Sequence, residues 1–204
     1  MKGGSAGLTF ATLPIAATAI ATSAQGSDAG AVPAASGARP NTSASRLLRK
    51  VLVEHRALVC ARPFEAVHKA LIESLPALKP ELTEILERGD QEKIASARRD
   101  GPKLWIFLVR DHGALTAADG LKSKAMQYEI GNPLTAERMT RYVLAAGLYA
   151  PLRVILYQDA SERAIFEYDL PSSLFGQFGD ERVAKVGREL DAELEAALLS
   201  ASGA

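Results

Sequence analysis

The sequence predicts an α+β domain built on an antiparallel sheet, and three observations carry that expectation. Residues 124–131, 152–158 and 163–169 are β-rich runs, the first alternating Gln127, Glu129 and Gly131 with Tyr128 and Ile130, the period-2 pattern of a strand with one apolar and one polar face. The last two runs are separated only by Asp159-Ala160-Ser161-Glu162, a hairpin signal that fixes an antiparallel pair. Around them lie stretches whose apolar residues recur at three and four, the stripe of an amphipathic helix.

Taken in order, Lys50 opens the strand-like run KVLVEHRALVCA, which leads into Arg62-Pro63. Phe64, Val67, Leu71 and Leu75 then form a helical stripe ended by Pro76, with His68 off the stripe and read as an isolated exposed side chain. A second helix is expected from Pro80 to Gly89 on Leu82, Ile85 and Leu86. A third starts with Asp90 as its cap and fades by Asp100-Gly101-Pro102. These two make a helical insertion after the first helix, placed to cover an edge of the sheet. KLWIFLVR is nearly continuous in apolar residues, as in a central strand buried on both faces or at a dimer contact. Arg110-Asp111-His112-Gly113 follows and reads as a strand-end turn, with Asp111 bonding backbone amides and Gly113 supplying an unusual dihedral.

After the strand through Gln127 and Glu129, Asn132 can cap a helix whose first position is Pro133. Met139, Tyr142, Val143 and Ala146 give that helix its apolar side, and Gly147 stops it. The hairpin comes next. Leu170 to Gly179 reads as a loop carrying Phe175 and Phe178, and a last helix begins after Asp180. Its stripe of Val183, Val186, Leu190, Leu194 and Leu198 should lie across the sheet, with Glu189, Asp191, Glu193 and Glu195 as a solvated face.

The ordered motifs GNPLTAERM, LYAPLRVILYQD and FEYDLPSSLFGQF resemble the bacterial domain of unknown function 302 family, over about Val51 to Leu198. The resemblance implies a TATA-box-binding-protein-like arrangement: a curved antiparallel sheet with helices packed on one face, in the order β-α-β-β-α-β-β-α. It implies a fold far more firmly than an activity. Many short family members carry a cysteine before the Asn-Pro pair and another after the later proline. Gly131 and Leu152 hold those positions here, so no thiol-based role carries over. Asn132, Pro133 and Pro151 match the motif and are explained as cap and turn residues.

The chain has 204 residues with 24 basic and 24 acidic side chains. Lys2, Arg39 and Asp28 fall in the first 45 residues, leaving 22 basic against 23 acidic from Arg46 onward. That balance lacks the basic footprint of nucleic-acid binding, and none is expected. Residues 1–24 resemble a secretory signal, with Lys2 ahead of an uncharged Ala, Gly, Thr and Leu stretch. If it acts as one, the protein is periplasmic or secreted; otherwise it is cytoplasmic. Residues 25–45 are rich in Ala, Gly, Ser and Pro, as in a flexible linker, and 46–204 are expected to form a single domain. No stable membrane span is expected. The lone Cys60 reads as a small buried hydrophobe.

Chemically, the sequence is sparse. His55, His68 and His112 lack metal-ligand spacing, and Cys-x-x-Cys, His-Glu-x-x-His, Gly-x-Ser-x-Gly and phosphate-cradling glycine loops are absent, so no metal or cofactor is expected. The leading expectation is a non-catalytic module that binds a small molecule or a partner on the open sheet face, through Gln127, Glu129, Arg153, Tyr157 and Glu167. The alternatives are an enzyme using His112 as acid or base with Asp111 or Glu129 as assistants, and a homodimerising structural domain.

Overall fold

The alternation of Tyr128 and Ile130 with Gln127 and Glu129 becomes an inner strand of a five-stranded sheet. The computed structural model describes residues 46–204, so the expected signal segment and linker lie outside the described residues. The strands are β1 (His55–Val59), β2 (Trp105–Asp111), β3 (Ala125–Gly131), β4 (Leu152–Gln158) and β5 (Ala164–Asp169). They lie in the order β1-β5-β4-β3-β2, with every neighbouring pair antiparallel. The helices are α1 (Phe64–Ser74), α2 (Pro80–Arg88), α3 (Gln91–Asp100), α4 (His112–Ala117), α5 (Pro133–Thr140), α6 (Pro171–Gly176) and α7 (Glu181–Ser202). Leu48–Ala204 is one compact unit.

One sheet face carries the core. Leu152, Val154 and Leu156 of β4, Tyr128 and Ile130 of β3, and Phe166 and Tyr168 of β5 pack in one cluster with Phe64, Val67 and Leu71 of α1. Val183, Val186, Leu190, Leu194 and Leu198 of α7 join the same cluster, so its sequence stripe lies where burial of apolar surface puts it. The end of α7 is tied back by its own backbone, because the Ser202 carbonyl accepts from Ala61 and Arg62 at 3.0 and 3.2 Å. Cys60 is buried at the same corner, and burial pushes its thiol pKa up.

Local chemistry sets several boundaries. Asn132 Oδ1 accepts from Leu134 N at 2.8 Å and caps α5, while Asp90 and Asp180 cap α3 and α7. The hairpin turn is held by Asp159, whose carboxylate accepts from Ser161 N and Arg163 N at 2.9 and 2.8 Å. The helical insertion of α2 and α3 is present. The segment ahead of it adds a short parallel bridge, Ala77 to Ile106, on the outer edge of β2.

Several expectations are corrected. KLWIFLVR is not central: β2 is an edge strand, and although Trp105 and Ile106 are buried, Leu108 and Val109 are 41% and 37% exposed. A bulge at Phe107 separates the two halves. The strand-end turn after β2 is the short helix α4, and Gly113 keeps an ordinary φ. Its hydrogen faces a close approach instead, since a Cβ there would lie 2.5 Å from the Ser123 carbonyl oxygen. The fifth helix stops at Thr140. Val143, a β-branched residue, is extended at φ −136°, and a 3-10 turn over Leu144–Tyr149 brings Ala146 into the core while Tyr142 stays outside. The loop over 170–179 contains α6, started by Pro171 and anchored by fully buried Phe175. At the N-terminal side, residues 50–54 remain outside β1.

Candidate functional site

On the sheet face opposite the core helices, strand register assembles side chains from all five strands. Register pairs Ala57 with Glu167, Glu167 with Ile155, Ile155 with Gln127, and Gln127 with Arg110, giving one row across the sheet. A second row contains His55 beside Asp169, then Arg153, Glu129 and Leu108, with Arg153 and Asp169 one step from the Val154–Tyr168 pair. This face is polar because β-alternation sends each strand's apolar partners to the core side.

Two hydrogen-bonded clusters occupy its ends. In the first, His55 Nδ1 lies 2.8 Å from Asp169 Oδ1 and His55 Nε2 lies 3.3 Å from Glu167 Oε2. Tyr157 donates its hydroxyl to Glu167 Oε1 at 2.7 Å. With a carboxylate facing each ring nitrogen, the imidazolium donates twice, and Asp169 first and Glu167 second raise the His55 pKa above its ordinary value. The Tyr157 hydroxyl, and then His55, hold the Glu167 carboxyl below the usual carboxylate range. In the second cluster, Arg110 donates to Glu129 at 2.7 Å and to Gln127 at 3.2 Å. His112 Nε2 reaches the same Gln127 oxygen at 3.3 Å.

The structure therefore brings Gln127 and Glu129 together through Arg110, and Tyr157 and Glu167 together through His55. Arg153 stands between the clusters, exposed, beside Glu129 in register and lining a narrow cleft with Asp169. Asp111 does not serve His112. Its carboxylate caps α4 by accepting from Ala114 N at 2.8 Å, so the His112 ring is oriented by an amide rather than a carboxylate. Sequence reasoning missed His55, Asp169 and Arg110, although alternation from Glu167 to Asp169 was a usable signal for one of them. His68 is not isolated either: its Nδ1 lies 2.6 Å from the hydroxyl of Tyr128, whose ring is fully buried. Burial pushes that phenol's pKa upward.

The face is shallow. The side chains on it are roughly a quarter to a half exposed, Glu129 at 24%, Glu167 at 33% and His55 at 55%, and the larger cavities lie elsewhere, among the helices and beside α4. Among the described residues, no group of three or more His, Cys, Asp or Glu side chains is arranged to hold a metal. Within the same residues, no helix is long and apolar enough to cross a membrane.

The family described as "Domain of unknown function DUF302" matches over residues 92–201. An uncharacterized conserved DUF302 protein from Bacillus stearothermophilus, known from a crystal structure, is similar in fold at a TM-score of 0.53. It is 17% identical, and the match covers 72% of this chain and 96% of that one. No curated protein matches this chain.

Proposed function

The chain belongs to the DUF302 family, and on that premise we propose that it is a non-catalytic binding module whose uncovered sheet face receives a polar partner. The observation that carries this reading is the register row His55, Asp169, Arg153, Glu129, in which basic and acidic side chains alternate across four strands on a face the core helices leave open. Alternating charge on a broad, half-exposed surface suits electrostatic matching to an extended polar surface, which fixes register and rejects mismatched partners. It suits a deep small-molecule pocket less, because ligand pockets enclose most of their ligand.

The sheet is read further as TATA-box-binding-protein-like and curved. Supporting that reading is the order of the main elements, strand, helix, strand, strand, helix, strand, strand, helix, once the insertion and the shortest helices are set aside. A periplasmic or secreted location is proposed together with it, on the signal-like composition of residues 1–24.

A photo-crosslinking side chain placed at position 153 and, as a control, at the exposed position 87 tests the function in extracts of the native host. Position 153 is expected to give one dominant adduct that disappears when Glu129→Gln and Asp169→Asn are added. Equal labelling from both positions, or an adduct indifferent to the charge changes, overturns the reading.

A second reading is favoured by the exposed Leu108 and Val109 on edge strand β2, which fit a homodimer formed along that edge.

A further inference from the structure

The helical insertion and α5 border a cavity of about 460 Å³. Its apolar wall comes from Leu86 of α2, Ile94 of α3, and Pro133 and Leu134 of α5. Ile94 and Leu134 are 7% and 4% exposed, so this wall is continuous with packed protein rather than with a loose surface. The rim is charged. Arg98 of α3 donates to Glu137 at 3.0 Å, and Arg141 donates through Nε to the same carboxylate at 2.8 Å.

One carboxylate thus serves two guanidinium groups, and the three side chains together keep one net positive charge at the mouth of an apolar cavity. All three are between 39% and 49% exposed, which leaves their outward N–H donors accessible to an incoming group. A guanidinium presents its donors in a planar fork that matches carboxylate or sulfonate oxygens. The volume lies within the 300–1,000 Å³ or so typical of small-molecule sites.

We propose that this cavity binds a small amphipathic monoanion, with its apolar body against Leu86, Ile94 and Leu134 and its anionic head between Arg98 and Arg141. The site is separate from the open sheet face and does not rest on the reading of that face. Glu137 is its tuning element: it holds the two guanidinium groups in place and competes with the ligand head for their donors.

Octanoate is the probe, followed by amide chemical shifts of the whole chain on titration, with octylammonium as the cationic control of the same tail. Saturable shifts are expected around residues 86–98 and 133–141, with a Kd on the order of 1 mM for so small a ligand. Octylammonium should bind at least tenfold more weakly. The exposed double substitution Arg98→Ala with Arg141→Ala should weaken octanoate about tenfold, and Glu137→Gln should tighten it several-fold by removing the competing carboxylate. The amide spectrum of each variant reports whether it is folded. Equal affinity for the two probes, shifts confined to other regions, no saturable shift, or tighter binding by the arginine-free variant would each overturn the proposal.

Discussion

His55 illustrates how a single side chain acquires a property through its neighbours. It is more than half exposed, yet Asp169 and Glu167 face its two nitrogens, and its pKa is raised. The sign of the linkage follows. Stability from a group whose pKa rises on folding is fully present below its unfolded pKa, about 6.5, and is lost as pH climbs through the folded value. Glu167 behaves oppositely, contributing above its unfolded pKa of about 4.3 and losing that contribution as pH falls through its lowered folded value. The cluster is therefore strongest between roughly pH 4.5 and 6.5. Urea titrations of the wild type and of His55→Gln should show the wild type's advantage at pH 5.5 shrinking by pH 8.5. An advantage that grows with pH would contradict the assigned ion pairs. Tyr128 makes the complementary point, since its hydroxyl is satisfied in the core by half-buried His68, as buried polar groups require.

At the scale of elements, α7 is fixed by more than its apolar stripe. The acidic residues expected to be a solvated face mostly reach other elements: Glu189 binds Arg138 of α5 at 2.7 Å, Glu195 binds Arg56 of β1 at 2.5 Å, and Asp191 accepts from Ser172 N of α6 at 2.8 Å. Exposed ion pairs contribute about 0–1 kcal/mol each, so their main effect is on orientation. Close packing of α6 on α7 depends on Gly187. A Cβ there would meet Ser172 Cα at 3.0 Å and the Pro171 carbonyl oxygen at 3.2 Å, both backbone atoms of α6. Alanine gains about 1 kcal/mol of helix propensity over glycine, while overpacking costs about 1–3 kcal/mol. Gly187→Ala should thus destabilise the domain by about 1 kcal/mol in urea unfolding. Stabilisation of that size would mean that α6 moves aside freely.

For the whole molecule, strand order has the largest consequence. Moving β2 from the centre to the edge leaves apolar Leu108 and Val109 exposed and much of the strand's outer side without a neighbouring strand, and such edges recruit further strands. Multi-angle light scattering at about 100 μM, a concentration that suits a micromolar contact, should return a dimer for the wild type and a monomer for Leu108→Lys. A wild-type monomer at that concentration removes the homodimer reading while leaving the open-face module intact.

The sequence alone determined the elements whose causes are local. Alternation placed β3, the Asp159 turn closed the hairpin, Asn132-Pro133 started α5, and the spacing of Val183 to Leu198 marked the buried side of α7. It also placed Gln127, Glu129, Arg153, Tyr157 and Glu167 on a polar face, because side-chain direction in a strand follows from counting by two. Tertiary structure alone decided which strand lies at the edge, and it brought together His55 with Asp169, Arg110 with Glu129, and His68 with Tyr128. Residues in those pairs stand 114, 19 and 60 positions apart. Local periodicity carries no information about strand order or register between distant strands, which are fixed only when the apolar faces close on one another.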